Sequence, residues 1–208
     1  TDGHRDANAG TYFERLTKDV AESEALFHSL HIAYSEFFRN PLTFALLEQL
    51  ILPSLVEAKR ITGSTELRVW SAGCAAGQEA WSVAILLEEL AAASERPVPF
   101  RIFGTDVSEA GLVVARQGVY DSAMVQNVRL RHLRDFFSEE GAAYVVAARL
   151  RDRVDFSNGD LVDARSVCPP ASLYGDFDLI LCCNLLLYYR RDIRHLILDK
   201  ICHALCPG

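Results

Sequence analysis

Between Val69 and Ser82 an apolar run ends in a loop of small residues, Ala72-Gly73-Cys74-Ala75-Ala76-Gly77, and a long apolar-periodic segment follows at once. A strand that turns through glycine and alanine directly into a helix is the building unit of α/β sheets. The carboxyl end of such a strand is where these sheets receive small molecules. Residues without bulk let a ligand approach the backbone, and the free N–H groups of the helix start face it. The segment alone implies a small-molecule site and nothing finer.

Four runs read as strands: Leu67 to Ala72, Phe100 to Thr105, Arg153 to Ser157, and Phe177 to Cys183. Helices are expected near 78–94, 108–117 and 190–205, and the alternation predicts right-handed βαβ units and a parallel sheet. Phe177 to Cys183 is almost continuously apolar, as suits a strand covered on both faces. Between Gly118 and Arg153 the alternation breaks. A helix around Val128–Phe137, a turn at Glu139-Glu140-Gly141 and a strand over 144–147 predict a small α+β insertion at the sheet edge. Upstream, apolar spacings of three and four predict helices over 11–33 and 42–59, the second started by Asn40-Pro41. The expected organisation is an N-terminal helical region over 1–62 and a sheet domain over 63–208, with 119–152 inserted. Four strands make an unusually small sheet of this kind, so further strands are expected after Gly208.

With 208 residues, half of them hydrophobic, the chain suits one main core. No stretch approaches the ~18 uncharged apolar residues of a membrane span, and Thr1 to Gly10 lacks a signal-peptide core, so a cytoplasmic address and no membrane insertion are expected. A net charge of −7 argues against nucleic-acid binding. Arginines cluster at 129, 131 and 134, at 149, 151 and 153, and at 190, 191 and 194; these read as solvated faces or as docking surfaces for an acidic protein. The six cysteines show no paired C-x-x-C spacing, so reduced, mostly buried thiols and no metal centre are expected.

Asp106 ends the second strand, where an ionised carboxylate can accept from both hydroxyls of a ribose; capping the next helix is the alternative, a role Ser108 could equally fill. Gly73 and Gly77 stand four apart, so no G-x-G-x-x-G is present, and an adenosine ligand without a pyrophosphate, such as S-adenosylmethionine, suits the loop better than a dinucleotide. Asn184, at the end of the fourth strand, can face a ligand's amino-acid portion or adenine, or can simply terminate the strand. Tyr188 and Tyr189 line the site or form ordinary wall. In Phe37-Phe38-Arg39 two buried aromatics could anchor the segment so that Arg39 points at a carboxylate; a surface arginine is the alternative.

Taken together, these segments resemble the CheR family of chemotaxis receptor methyltransferases. The matching residues are Ser35-Glu36-Phe37-Phe38-Arg39 before Pro41, Trp70 to Cys74 with Gly77-Gln78-Glu79 and Ser82, Thr105-Asp106-Val107, Ala115, Gly118 and Tyr120, then Val154-Asp155-Phe156 with Asp160-Leu161, Phe177 to Ile180, Cys183-Asn184 and Leu187-Tyr188. The resemblance implies a Rossmann-like S-adenosylmethionine-dependent methyltransferase sheet with an N-terminal helical region and a small inserted subdomain. It implies methylation of glutamates on the cytoplasmic helices of chemoreceptors. By motif, Ser35, Arg39, Glu79, Asp106, Asp160, Leu161 and Asn184 contact the cofactor, with Gly73 in the loop and Leu185 beside Asn184. Asp106 takes the ribose, and Arg39 and Tyr188 stand near the transferred methyl. Cys183 replaces the family's usual arginine, Asp160 its asparagine, and Ala33 another asparagine. Two alternatives therefore stay open: methylation of another signalling protein, and a non-catalytic binding module.

Overall fold

The computed structural model describes residues 9–19, 22, 35–63, 66–163, 165–166, 168–172 and 175–206. Thr1–Ala33 and Tyr34–Gly208 form two compact units. In the first, helix α1 spans Ala9–Lys18, and Arg15 pairs with Glu22 at 3.0 Å. Most of the helix expected over 11–33, together with Ala33, lies outside the described residues.

In the second unit, strands β1 (Leu67–Ala72), β2 (Phe100–Asp106), β6 (Val154–Asn158) and β7 (Leu179–Leu181) form a parallel sheet in the order β6-β2-β1-β7. The two-residue period of a strand sorts its side chains between two cores. Leu67, Val69 and Ile102 pack with Trp81, Val83 and Ile85 of helix α3 (Gln78–Ala92), whereas Trp70, Ala72 and Phe103 pack with Ile197 and Ile201 of helix α7 (Arg191–Ala204). Burial on both faces is why β1 is mostly apolar, with Arg68 and Ser71 its two polar residues. Helix α4 (Glu109–Gln117) follows β2.

The last strand is shorter than its apolar run. Only Leu179–Leu181 pairs with β1, because β1 gives way to the turn at Gly73, two residues past the Ser71–Leu181 pair. Asp178 is occupied otherwise: one carboxylate oxygen accepts from the Arg68 N–H at 2.8 Å and the other meets Lys59 Nζ at 2.8 Å.

The insertion holds a three-stranded antiparallel sheet, β3 (Val119–Asp121), β4 (Phe137–Glu140) and β5 (Ala143–Val146), in the order β3-β5-β4, with helices α5 (Leu130–Phe136) and α6 (Ala148–Arg151). Where one strand was expected there are three. Arg129 grips both oxygens of Glu48 at 2.7 Å, and Arg131 reaches Glu48 and Glu89 at 3.3 Å. These arginines clamp the insertion to the domain.

Helix α2 runs over Pro41–Thr62, with Pro41 at its first position and a π turn at Leu47–Ile51. Pro53 has no N–H to donate and its ring crowds the preceding turn, and a widened turn absorbs such an interruption. By length and composition alone these 22 residues would pass for a membrane span, but charged side chains interrupt the run, so it is not an uncharged apolar stretch. Its charged residues are Glu48, Glu57, Lys59 and Arg60. In the fold, Phe44, Leu47 and Leu52 pack into the core beside α3, and Glu48 pairs with the insertion.

Candidate functional site

The loop after β1 is fastened to the end of β2. Gly73 and Cys74 N–H both donate to the Thr105 carbonyl, at 2.8 and 3.0 Å, and Ala75 N–H donates to Asp106 Oδ2 at 2.8 Å. Three N–H groups of the loop, ahead of the helix start at Gln78, are therefore bound within the protein. Asp106 Oδ1 accepts from Ser108 N–H at 2.8 Å, while Ser108 Oγ caps α4 by accepting from Gly111 N–H at 3.2 Å. Ser108 is the cap, and Asp106 braces the loop. A carboxylate has about four lone-pair directions, so half-buried Asp106 keeps capacity to accept from hydroxyl groups.

Two glycines shape the loop. Gly73 has φ +81°, and a Cβ there would lie 2.8 Å from Leu185 Cδ2; Gly77 has φ +87°, and its Cβ would lie 2.7 Å from the Ala115 methyl. Any side chain at either position meets both backbone strain and a collision.

Glu79, in the first turn of α3, accepts from Ser71 Oγ at 2.7 Å. Burial raises its carboxyl above the usual range, opposed by hydrogen bonds from Cys183 and Ser71 and by the charge of Arg39. The crowded setting of the Cys183 thiol, and then the charge of Glu79, push that thiol up to about 12. Ser35, Glu36, Arg39, Gly73, Ala75, Glu79, Cys183 and Asn184 line one shallow cleft that opens to solvent.

The cleft thus gathers Ser35, Arg39, Gly73, Glu79 and Asn184. Asp106 stands one hydrogen bond behind its floor, through Ala75. Leu185 closes over Gly73. Asn184 holds a left-handed backbone, φ +56°, at the point where the chain leaves the sheet. Three residues lie apart from the lining. Asp160 Oδ1 accepts from Val162 N–H at 2.8 Å within its own turn, and buried Leu161 packs with Trp70 and Phe103. Tyr188, on the 3-10 turn Leu186–Tyr188, is 63% exposed.

Other contributors carry no local signature. Tyr120 donates its hydroxyl to the Ala76 carbonyl at 2.7 Å, and Phe38 N–H donates to Ser82 Oγ at 3.0 Å, both across 44 residues. Tyr120 and Ser82 stand among the motif residues, but only the fold shows what they hold. All six cysteines are free thiols, but against the expectation of mostly buried ones only Cys74 is buried, and Cys183, Cys202 and Cys206 are exposed; among the described residues no cluster of His, Cys, Asp or Glu could hold a metal.

The family model for "CheR methyltransferase, SAM binding domain" matches residues 33–208. The chain belongs to the CheR methyltransferase family. It is 33% identical, over 83% of its length, to chemotaxis protein methyltransferase 1 of Pseudomonas aeruginosa, covering 61% of that protein. It is 30% identical to the chemotaxis protein methyltransferase of Listeria innocua, over 96% of this chain and 70% of that one. An uncharacterized 104.1 kDa protein of Rhodobacter capsulatus is 31% identical over 95% of this chain, which spans 20% of that protein. The chain thus covers less than two thirds of two of these three relatives.

The cofactor of this CheR-family domain is S-adenosylmethionine, and the donor set fits it. Asp106, a carboxylate with spare acceptor capacity, stands behind the loop through Ala75, and a ribose calls for such an acceptor. A cation and an anion, Arg39 and Glu79, share the cleft, as the zwitterionic methionine portion requires.

Proposed function

We propose that this chain methylates glutamate side chains on the cytoplasmic helices of chemoreceptors, forming γ-glutamyl methyl esters. The observation that carries the reading is the meeting of Arg39 and Glu79 in one cleft, in front of a loop braced by Asp106. The names of the Pseudomonas and Listeria relatives support it. Within this reading residues 63–208 are the methyltransferase domain, 119–152 its inserted subdomain and 1–62 a helical region.

S-adenosylmethionine, when bound, supplies an electrophilic methyl group on a sulfonium. In this proposal Asp106 accepts from the ribose hydroxyls, Glu79 meets the α-amino group, and Ser35 and Asn184 offer further polar contacts. Gly73 leaves room for the nucleoside, with Leu185 over it. Asp160, Leu161 and Tyr188 enter only if the segments carrying them close over the ligand. A glutamate side chain is ionised at neutral pH, with an ordinary pKa of ~4.3, so no general base is required of the protein. What the chain must provide is alignment and exclusion of water. Arg39 is the group suited to hold the methionine carboxylate, as a charged fork fixes both oxygens, and it stands there near the transferred methyl.

The test is transfer of tritiated methyl from S-adenosylmethionine to chemoreceptor membranes, followed by base treatment. The proposal expects label on the receptor, released by base as methanol. Base-stable label, or label on another protein, would transfer the activity to a different substrate. A second reading has its own observation: Cys183 stands beside Glu79, where the family usually has an arginine. Cofactor binding without any transfer would make the chain a binding module.

A further inference from the structure

Arg39 follows two aromatics held in different ways. Phe37 is fully buried, edge-on to Tyr120 at 5.0 Å and to Phe137 at 5.5 Å, both on strands of the insertion. Phe38 has a left-handed backbone, φ +51°, which costs an aromatic residue about 1–2 kcal/mol. Such a conformation persists only where the surroundings enforce it, and strained backbone gathers at sites that must aim a group. Three contacts enforce it here. Its N–H is fixed by Ser82 Oγ, its ring stands edge-on to Phe44 at 5.2 Å, and its other neighbour is the His132 imidazole, stacked at 5.4 Å and 28°.

His132 is built to be a fixed surface. It is fully buried on α5, with Nε2 3.0 Å from Glu89 Oε2 and Nδ1 without a hydrogen-bond partner among the described residues. A carboxylate at Nε2 calls for an N–H there, and a buried Nδ1 without an acceptor is better a lone pair than an N–H, so this geometry suits the neutral Nε2–H tautomer. Phe136 flanks the ring at 6.1 Å, and Arg131 holds the same Glu89 from the neighbouring position.

We infer that His132 is a positioning residue for the cofactor cleft: stacked on Phe38, it holds the left-handed turn that directs Arg39 into the cleft. The insertion then does more than decorate the sheet edge. Through its α5 helix it completes the cofactor site. The inference rests on the placing of Arg39 against the cofactor proposed above.

The test measures S-adenosylhomocysteine affinity by calorimetry for the wild-type chain, His132→Ala, His132→Phe, Arg39→Ala and the double variant His132→Ala/Arg39→Ala, with thermal unfolding followed in parallel. His132→Ala should weaken binding about tenfold. His132→Phe, which keeps a ring against Phe38, should stay within about twofold of wild type. The double variant should bind no more weakly than Arg39→Ala alone, because the histidine acts through the arginine. Wild-type affinity in His132→Ala overturns the inference, as do additive losses in the double variant. If His132→Ala fails to fold, the phenylalanine variant decides: weak binding by a stably folded His132→Phe overturns the inference. A wild-type chain that binds no S-adenosylhomocysteine overturns the reading of the cleft itself, and this inference with it.

Discussion

Replacing Asp106 by asparagine separates the two roles assigned to one carboxylate. Its oxygens each accept a backbone N–H at 2.8 Å, one from Ala75 and one from Ser108. Asparagine keeps the shape but turns one acceptor into an NH₂ group, which must face one of those two N–H donors. A hydrogen bond to a charged group contributes about 1.5–3 kcal/mol, so losing one should cost roughly 2 kcal/mol of stability. For a chain of this size that lowers Tm by about 4–8 °C. A ribose held by the same carboxylate would lose a second charge-assisted bond, weakening S-adenosylhomocysteine binding by about 10- to 150-fold. Calorimetric unfolding and titration calorimetry on the same preparation read both numbers. A lowered Tm with unchanged affinity would refute the ribose role, and an unchanged Tm would refute the brace.

Arg39→Ala should abolish methyl transfer in the tritium assay while leaving Tm within about 2 °C of wild type, since an exposed side chain at the cleft edge contributes little to stability. Cys183, with its thiol pushed up to about 12, should react with iodoacetamide at pH 8 more slowly than an ordinary cysteine, and Glu79→Gln should speed the reaction; mass spectrometry of the labelled peptide reads both rates. Burial lowers the His132 pKa below 6.5, with Glu89 opposing the shift and Arg131 and Arg129 adding to it. The unfolded chain then takes up the proton more readily. The stability this group contributes is therefore complete above about pH 6.5 and lost as pH falls through the folded pKa. Urea midpoints should drop between pH 8 and pH 5, and drop less in His132→Phe.

The parallel sheet was legible because its two central strands, β1 and β2, are largely buried on both faces. Leu67–Ala72 reads as a strand from its apolar run alone, and β2 and β6 fall within a residue of the runs that predict them. The last strand was overestimated because Cys182 and Cys183 are apolar but lie beyond the point where β1 turns away at Gly73. Strands β3 and β4 were invisible for the opposite reason. Val119–Asp121 and Phe137–Glu140 are short, and most of their residues face solvent, so no period forms. In the site, Gly73, Glu79 and Asp106 could be read because they sit in contiguous motifs at strand ends. His132 and Tyr120 could not be given roles, because their partners Phe38 and Ala76 are distant in sequence and meet them only in the folded insertion. The same distance hid the packing of α2. Its composition suits a membrane, yet Glu48 is matched by arginines from the insertion.

A crystal structure of this chain with S-adenosylhomocysteine tests the central claim most directly. The account predicts the ribose hydroxyls about 2.7 Å from the Asp106 carboxylate, and the amino-acid end between Arg39 and Glu79. A nucleoside bound elsewhere, or an Asp106 carboxylate that touches only Ala75 and Ser108 while the ligand is present, would contradict it.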